Sequence, residues 1–430
     1  MSKTTLIKNG HVIDPANKRD GIMEILVADN IIAKVAPHID TKTETSINAK
    51  GLIVTPGLVD IHVHLREPGR EDKETIETGL RAALHGGITS VVAMPNTTPV
   101  TDSQSMVEIQ IRRSKQLQLA NLYPAGALTK KSEGKELCDF KEMKNSGIVA
   151  VTDDGQDVQN EGLLKRAMEY AKTHELVMIC HCEVSDLSEQ GVMNEGIVST
   201  RLGLRGIPAI AEELAVMKAL MLAEYTGARI HISHISTEGS VQLIETYQKR
   251  GIQVTADTCP QYFSLTEEMC EGYNTFAKMY PPLRSEKDRV AIVKGLQTGV
   301  ISAITTDHAP HTHFEKLQPF SQAAKGTVGL ETSFAVGNTY LVKEKKVSLF
   351  QLIEKMTVRP SRVVSIPKGT LSVGADADIS LFDINKKWTV GEIKMETKGG
   401  NCVFNGMKLM GAAVHVLVGG VQKVINGKIV

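Results

Sequence analysis

Eight short apolar segments rich in Val, Ile and Ala alternate with segments of helical periodicity through the middle of the chain. This alternation is typical of a parallel sheet whose strands are joined by helices. Eight such units in roughly 300 residues favour a closed (β/α)8 barrel over an open doubly wound sheet. No Gly-x-Gly-x-x-Gly motif follows the first segment, which weakens a dinucleotide-binding alternative. The segments are residues 58–64, 88–94, 120–127, 147–153, 176–182, 228–235, 252–258 and 301–307.

Both ends of the chain have a different pattern, in which apolar and polar residues alternate between turn-forming residues. Hairpin turns are expected at Asn9-Gly10 and Asp29-Asn30 near one end, and at Asn426-Gly427 near the other. Isolated hairpins are only marginally stable, so the two β-rich ends need each other's surface. We therefore expect residues 1–55 and 365–430 to form one small, sandwich-like composite β domain, and residues 56–364 to form a catalytic barrel of the metal-dependent hydrolase type.

The charge balance argues against two classes of binding protein. Lys and Arg total 49, as do Asp and Glu, so the formal net charge is zero. Proteins that bind nucleic acids or anionic membranes through phosphate groups carry an excess of basic residues. No apolar run approaches the roughly 20 residues that cross a bilayer, and the first residues lack the apolar segment of a signal peptide. We therefore expect a cytoplasmic globular protein with no nucleic-acid partner and no membrane partner.

Imidazole and carboxylate side chains collect at the carboxyl ends of the predicted strands, where barrel enzymes build their active sites. Residues two apart on a strand point the same way, so His62 and His64 can bind one metal ion. His181, His234 and Asp307 stand at three further strand ends. Nitrogen and carboxylate oxygen donors together form a set that zinc favours. A strand-end carboxylate such as Asp307 can also carry a proton between water and a leaving group.

Strand alternation restricts the choice of ligands on two strands. His231 and His234 are three residues apart and cannot both face inward from a regular strand, so His231 is expected to be structural. In the segment VTDDG, only one of Asp153 and Asp154 can face a metal ion unless the strand ends between them.

These residues together resemble the amidohydrolase superfamily and, within it, the bacterial dihydroorotases of type I. The superfamily carries His-x-His after the first strand and Asp after the eighth strand of a (β/α)8 barrel. The resemblance spans almost the whole barrel and extends into both ends of the chain. The matching segments are PGLVDIHVHLREPG (56–69), KETIETG (73–79), MPNTTPV (94–100), TDDG (152–155), HCE (181–183), HISTEGSV (234–241), MYPPLRSEKDR (279–289), TTDHAPH (305–311) and GLET (329–332).

The resemblance implies two zinc ions per subunit, bridged by Asp154 and a hydroxide. Many relatives use a carboxylated lysine on strand four as the bridge, but this chain has no Lys between Lys144 and Lys165. Asp154 matches the residue that replaces this lysine in type I dihydroorotases. The other implied ligands are His62, His64 and Asp307 for one ion, and His181 and His234 for the second.

The activity that the resemblance implies is reversible, zinc-dependent hydrolysis of (S)-dihydroorotate to N-carbamoyl-L-aspartate, a step of de novo pyrimidine (UMP) biosynthesis. Asp307 would be the catalytic acid–base that carries the proton to the departing ring nitrogen. Arg66 would bind the substrate carboxylate as a bidentate cation, and Asn96, His311 and Gly326 match other substrate contacts of the family. The family also implies a homodimer and an association with aspartate carbamoyltransferase.

Three positions depart from the family pattern, which commonly has His, Asn and Phe where this chain has Gln261, Tyr280 and Lys325. All the implied metal ligands are present, so we expect these departures to change the substrate site rather than abolish catalysis. Two alternatives stay open. A related cyclic amidase of the allantoinase or hydantoinase type would carry a lysine on strand four, and a catalytically silent dihydroorotase-like scaffold would lack metal-binding histidines.

Overall fold

The computed structural model describes residues 4–430, and its strands and helices follow the alternation seen in the sequence. The strands are β1 (Thr4–Asp14), β2 (Arg19–Ala28), β3 (Ile31–Ala36), β4 (Thr45–Asn48), β5 (Ile53–Pro56), β6 (Leu58–Val63), β7 (Ile88–Ala93), β8 (Asn121–Gly126), β9 (Ala150–Val151), β10 (Val177–Cys180), β11 (Met193–Asn194), β12 (Gly206–Ile207), β13 (Ile230–Ile232), β14 (Val254–Thr258), β15 (Ala303–Ile304), β16 (Ile379–Thr389), β17 (Lys408–Val418), β18 (Val421–Ile425) and β19 (Lys428–Ile429). The α-helices are α1 (Ile76–His85), α2 (Gln104–Leu117), α3 (Phe140–Ser146), α4 (Glu161–Thr173), α5 (Ser185–Ser188), α6 (Ile197–Leu202), α7 (Ala209–Thr226), α8 (Glu238–Lys249), α9 (Pro260–Ser264), α10 (Glu286–Thr298), α11 (His313–Lys316), α12 (Ser333–Gly337), α13 (Leu349–Met356) and α14 (Val358–Val363).

Eight parallel strands form the barrel, in the order β6-β7-β8-β9-β10-β13-β14-β15. Each of the eight apolar segments contains one of these strands. The first and last strands approach each other where the His64 backbone N–H donates to His308 O at 2.9 Å and Val63 forms a bridge with His308. The sheet is therefore nearly closed, and the predicted (β/α)8 barrel is confirmed.

Local capping signals set the points at which the barrel helices begin. The Thr75 side chain accepts a hydrogen bond from the backbone N–H of Thr78 at the start of α1. The Thr237 side chain accepts one from the backbone N–H of Ser240 at the start of α8. Caps of this kind satisfy N–H groups that the first turn of a helix leaves unpaired. Because Thr237 lies only three residues beyond His234, the cap of α8 also fixes the short loop that carries this histidine. No helix between residues 4 and 430 is both long enough and apolar enough to cross a lipid bilayer.

Strands from both ends of the chain form one nine-stranded sheet, in the order β19-β18-β17-β16-β5-β1-β2-β3 with β4 paired to β1. β16 runs antiparallel to β5, where Ile379 lies opposite Pro56 and Phe382 lies opposite Ile53. One buried cluster joins Ile7 near the amino end to residues from the other end of the chain. The prediction that the two β-rich ends pair in space is confirmed.

One of the three predicted hairpin turns is wrong. β1 runs through Asn9 and Gly10 to Asp14, and the register with β2 shifts at this point, so the dipeptide forms a β-bulge. The turn lies instead at residues 15–18. Bulges and tight turns both use residues at positive φ, and Asn9 has φ 61°, so the dipeptide alone does not distinguish them. The other two turns are confirmed at Asp29-Asn30 and Asn426-Gly427.

Phe382 joins the terminal sheet to the barrel. Its ring is fully buried and stacks on Phe334 with 3.9 Å between the ring centroids. We expect Phe382→Ala to lower the free energy of unfolding by about 3–5 kcal/mol, because the missing ring leaves a cavity. Thermal denaturation measures the change, with Val421→Ala, at a side chain that is 52% exposed, as a control expected to stay within ~0.5 kcal/mol. Equal melting temperatures for the two variants would contradict this packing.

Candidate metal centre and active site

Six side chains that the sequence predicts as metal ligands meet at the carboxyl end of the barrel. All six are buried. The donor atoms form two groups in which all atoms lie within 4.8 Å of one another, and Asp154 belongs to both groups. The first group is His62, His64 and Asp154, and the second is Asp154, His181 and His234. Asp307 is the sixth residue, three positions beyond β15.

The two carboxylates lie among the imidazoles. Asp154 Oδ1 is 3.1 Å from His62 Nε2 and 3.7 Å from His234 Nε2, while Asp154 Oδ2 is 3.4 Å from His64 Nε2. Asp307 Oδ1 is 3.0 Å from His64 Nε2 and 3.7 Å from His62 Nε2. Asp154 can therefore contribute an oxygen to both groups, whereas Asp307 lies beside the first.

Unpaired atoms in this cluster test whether a metal ion fits. Within residues 4–430, four buried atoms of the cluster make no well-aligned hydrogen bond, although two of them, His62 Nε2 and Asp154 Oδ1, lie 3.1 Å apart as an ion-pair contact. The four atoms are His62 Nε2, Asp154 Oδ1, His181 Nε2 and His234 Nδ1. Buried polar atoms are rarely left unpaired, because each one loses its contact with water. Several unpaired nitrogen and oxygen donors at one place form a donor set suited to zinc. The residues present fit a metal centre.

The protonation of the imidazoles is compatible with this interpretation. Burial and the neighbouring His234 lower the pKa of His181 to about 3, so its ring is neutral at pH 7 and available as a ligand. Burial also opposes charge on His62, but the Asp154 carboxylate outweighs burial and raises the pKa of His62 to about 10. A proton on His62 and a metal cation compete for the same carboxylate charge, so metal binding would release that proton.

Polar neighbours orient the first two histidines. Asn96 Oδ1 lies 2.8 Å from His64 Nδ1, and the Ser233 hydroxyl lies 3.3 Å from His62 Nδ1. These contacts engage the Nδ1 atom of each ring and leave Nε2 beside the carboxylates. Asn96, which the sequence suggests as a substrate contact, is thus also a support for His64.

His231 and Asp153 lie outside the cluster, as strand alternation indicates. His231 Nε2 is 2.8 Å from Asp257 Oδ2. Asp153 Oδ1 accepts hydrogen bonds from the backbone N–H of Leu128 at 2.9 Å and of Thr129 at 3.0 Å. Both side chains are therefore engaged in structural contacts.

A cavity of about 350 Å³ opens beside the donor atoms, and all four residues that match the family's substrate contacts line it: Arg66, Asn96, His311 and Gly326. Arg66 Nε donates to Pro310 O at 3.3 Å. Gly326 has φ 120°, and a Cβ there would lie 2.7 Å from the Cβ of Ala309, so only glycine fits.

Of the three departures from the family pattern, Tyr280 and Lys325 line the cavity, and Gln261 does not.

Comparisons with known proteins agree with this geometry. The dihydro-orotase-like family model matches residues 51–240. A dihydroorotase of Acetivibrio thermocellus is 48% identical over 96% of this chain and 97% of its own length. A dihydroorotase of Ruminiclostridium cellulolyticum is 49% identical over the same shares of the two chains. The chain belongs to the dihydroorotase family.

Solved structures share the fold of this member of the dihydroorotase family. L-hydantoinase from Arthrobacter aurescens superposes with a TM-score of 0.89 at 24% identity, over 100% of this chain and 98% of that chain. A dihydropyrimidinase from Brevibacillus agri superposes with a TM-score of 0.86 at 20% identity, over 99% and 96%. Both superpositions cover the barrel and the terminal sheet, and at these identities they support the fold alone.

Three residues at the dihydroorotase-type site have left-handed backbone conformations: Arg66 at φ 60°, His234 at φ 38° and Asp307 at φ 47°. L-residues rarely adopt this region, and strain of about 1–3 kcal/mol per residue persists only where the surroundings enforce it. β6 ends at Val63, so Arg66 lies in the loop beyond the strand, and strand alternation does not determine where its side chain points. The strained loop after β6 brings Arg66 to the cavity.

Buried groups on both sides of Asp307 enforce its conformation. The backbone N–H of Thr306 donates to Asp60 Oδ2 at 3.2 Å. On the other side, His308 Nδ1 accepts from the Gly329 N–H at 3.2 Å, and its Nε2 lies 3.2 Å from Glu74 Oε2. Asp60, Glu74 and His308 are almost completely buried, so they hold the strand-end carboxylate in place without contacting solvent.

Sequence reasoning missed two residues that support the cavity wall. Asn401 Oδ1 accepts from the His311 backbone N–H at 2.9 Å, and its Nδ2 donates to Gly326 O at 3.1 Å. Asn401 follows β16 and belongs to no strand-end motif, so nothing in the sequence indicates this role. Lys73 Nζ is 2.7 Å from Glu315 Oε1 and 3.2 Å from His311 Nδ1. Lys73 begins the segment KETIETG (73–79), which matches the family, so the resemblance could have indicated that Lys73 lies near the site.

Proposed function

We propose that the chain is a metal-dependent dihydroorotase, which interconverts (S)-dihydroorotate and N-carbamoyl-L-aspartate by hydrolysis of a cyclic amide. The observation that carries the proposal is the convergence of two donor groups on Asp154 beside the cavity that Arg66 lines. The near full-length match to relatives named dihydroorotase supports the substrate. The reaction would serve pyrimidine biosynthesis in the cytoplasm.

The bound metals would be two zinc ions that share Asp154. When bound, they supply Lewis acidity that polarises the ring carbonyl and lowers the pKa of the attacking water. The use of Asp154 where hydantoinase-type relatives are expected to carry a lysine supports assignment to the type I class. The ligands would be His62, His64 and Asp307 for one ion, and His181 and His234 for the other.

Asp307 would be the group that moves the proton. Burial raises the pKa of Asp307, but a hydrogen bond with His64 and the charge of His62 lower it by more. The net pKa therefore lies below its usual value, and the carboxylate is ionised at neutral pH. An ionised carboxylate can accept a proton from the attacking water and return it to the ring nitrogen as the C–N bond breaks. Its enforced backbone conformation would keep it in position for both transfers.

Arg66 would bind the substrate carboxylate, and we expect Arg66→Met to raise the KM for dihydroorotate roughly 10- to 100-fold with a smaller loss in kcat. The carboxylate is present in both the ground and transition states, so its loss weakens binding more than chemistry. Steady-state kinetics measures both constants. Arg201→Met is the matched control, because Arg201 pairs with Glu271 at the surface and neither residue lines the cavity. A KM equal to that of the control would contradict this role for Arg66.

A substrate panel tests the proposed function against both alternatives. The zinc-loaded protein is assayed with dihydroorotate, hydantoin and allantoin, and we expect the highest kcat/KM with dihydroorotate. A higher kcat/KM with hydantoin or allantoin would favour the related cyclic amidase. No turnover of any of the three would favour the silent scaffold.

The domain division and the assembly state are also proposals. The continuous sheet formed by strands from both ends supports one domain of residues 1–55 and 365–430 beside a barrel of residues 56–364, although residues 1–3 lie outside the described part of the chain. The family resemblance supports a homodimer and an association with aspartate carbamoyltransferase. Light scattering of the protein alone and mixed with that enzyme tests both.

A further inference from the structure

Lys325 occupies a fixed position on the cavity wall. Its carbonyl oxygen accepts a hydrogen bond from His311 Nε2 at 2.8 Å, and the next N–H, of Gly326, donates to Lys278 O at 2.8 Å. The backbone is thus held on both sides of the Cα atom. The side chain extends from this anchored backbone into the lining of the cavity.

The ammonium group of Lys325 lies over the ring of Tyr280. Its Nζ is 3.8 Å from the centroid of the Tyr280 ring, a cation–π contact. The Tyr280 ring lies 4.9 Å from the His181 ring, and its hydroxyl donates to Glu183. Tyr280 therefore contacts both Lys325 and His181, a proposed ligand of the second group.

Arg66 and Lys325 are two cations of the cavity wall without a carboxylate partner. Within residues 4–430, no carboxylate oxygen lies within ion-pair distance of either group, whereas the third cation, Lys73, pairs with Glu315 at 2.7 Å. Burial lowers the pKa of Lys325, and the charge of Glu183 behind the tyrosine opposes this only in part. An unpaired charge in a partly buried wall favours an anion from the ligand.

The region behind Lys325 is also positive. Lys278 Nζ donates to Phe320 O at 2.7 Å, and Lys316 Nζ donates to Ala324 O at 2.8 Å. Both lysines contact carbonyl oxygens, and in the described part of the chain neither forms an ion pair. Burial lowers the pKa of Lys278 to about 8 and that of Lys316 to about 7. At pH 7 Lys278 is therefore mostly charged and Lys316 only partly charged, and Lys278 contributes most to a field at Lys325 that favours an anion.

The two ligands of the proposed reaction differ in charge. Dihydroorotate carries one carboxylate. Hydrolysis breaks the ring C–N bond, adds the hydroxyl group of water to the carbonyl carbon and a proton to the nitrogen, and the new acid ionises to a second carboxylate. N-carbamoyl-aspartate is therefore a dianion. Besides the proposed metal ions, the cavity wall offers two cations without carboxylate partners, Arg66 and Lys325. That is one side-chain cation for each carboxylate of the open-chain ligand, and one more than the cyclic ligand can pair.

We propose that Lys325 pairs with the carboxylate that ring opening creates, so that the site favours the open-chain dianion over the cyclic monoanion. This inference rests on the proposed dihydroorotase function, since it requires that both ligands bind in this cavity. It assigns to Lys325, at a position where the family pattern has an apolar residue, the recognition of the biosynthetic substrate.

Product inhibition measures the two affinities in one assay. The inhibition constant of N-carbamoyl-aspartate and the KM of dihydroorotate are determined with the zinc-loaded protein and with Lys325→Met. We expect the inhibition constant to rise about tenfold or more and the KM to change by less than about threefold. Lys325→Arg keeps the charge and should restore the inhibition constant to within about threefold of the unmodified protein. Melting temperatures establish that both variants are folded.

Lys73→Met is the matched control. Lys73 contacts His311, a proposed contact of both ligands, so its removal should change the two constants by the same factor. If the two constants also change together in Lys325→Met, or if neither changes, the proposal is overturned. Absence of turnover in the unmodified protein would refute the proposed function instead. Calorimetric binding of the two ligands to the unmodified protein and to Lys325→Met would then still decide whether Lys325 selects the dianion.

Discussion

Asp307→Asn is expected to lower kcat for ring opening by roughly 10²-fold or more while KM stays near that of the unmodified protein. The amide keeps the size of the side chain but cannot accept the proton of the attacking water. Asp307 Oδ1 lies 3.0 Å from His64 Nε2 and beside the first donor group, so a neutral amide also weakens a proposed metal contact. The zinc content of each kinetic sample must therefore be measured.

The outcome separates the two roles of Asp307. A variant that keeps its zinc and loses kcat shows that proton transfer is the main contribution. A variant that keeps its zinc and the kcat of the unmodified protein would contradict the acid–base assignment and require another proton carrier. Asp72→Asn, at an exposed surface carboxylate, controls for a general effect of removing one negative charge.

Asp154→Ala is expected to remove most of the bound zinc and to reduce turnover to background. Asp154 is shared by both donor groups, so its loss removes a ligand from each proposed ion and leaves Asp307 as the one carboxylate among the remaining ligands, with less negative charge to compensate the cations. Metal analysis of the purified variant, with turnover assayed after zinc is added back, measures both effects.

The neighbouring carboxylate provides the matched control. Asp153 precedes Asp154 in the same loop, but it accepts hydrogen bonds from the backbone N–H of Leu128 and Thr129. Asp153→Asn should therefore keep its zinc, even where the loss of these contacts lowers stability. Two zinc ions retained by Asp154→Ala, or equal zinc loss in both variants, would refute the assignment of Asp154 as the shared ligand.

The barrel and its ligand positions could be predicted because both depend on local patterns. Strand periodicity defines where each strand ends, and the parallel strands of a barrel bring those ends to one face. His62, His181 and His234 come from separate strands, yet the structure places them together at that face. Strand alternation allows only one of Asp153 and Asp154 to face the cluster, and the family resemblance indicates that it is Asp154.

Features that depend on loops could not be read from the sequence. Arg66 reaches the cavity through a left-handed residue after the strand ends, which strand alternation does not describe. Asn401 supports His311 from a segment 90 residues further along the chain, and no periodicity connects the two. The contact between Lys325 and Tyr280 likewise depends on how two loops pack.

A zinc titration of the metal-stripped protein, with the ring opening of dihydroorotate followed throughout, tests most directly whether two zinc ions that share Asp154 drive the reaction. Asp154 joins the two donor groups, so we expect no turnover without metal and a rise in rate that saturates near about two zinc ions per chain. Turnover of dihydroorotate by the metal-free protein would contradict a metal-dependent dihydroorotase, as would an inactive protein with both ions bound.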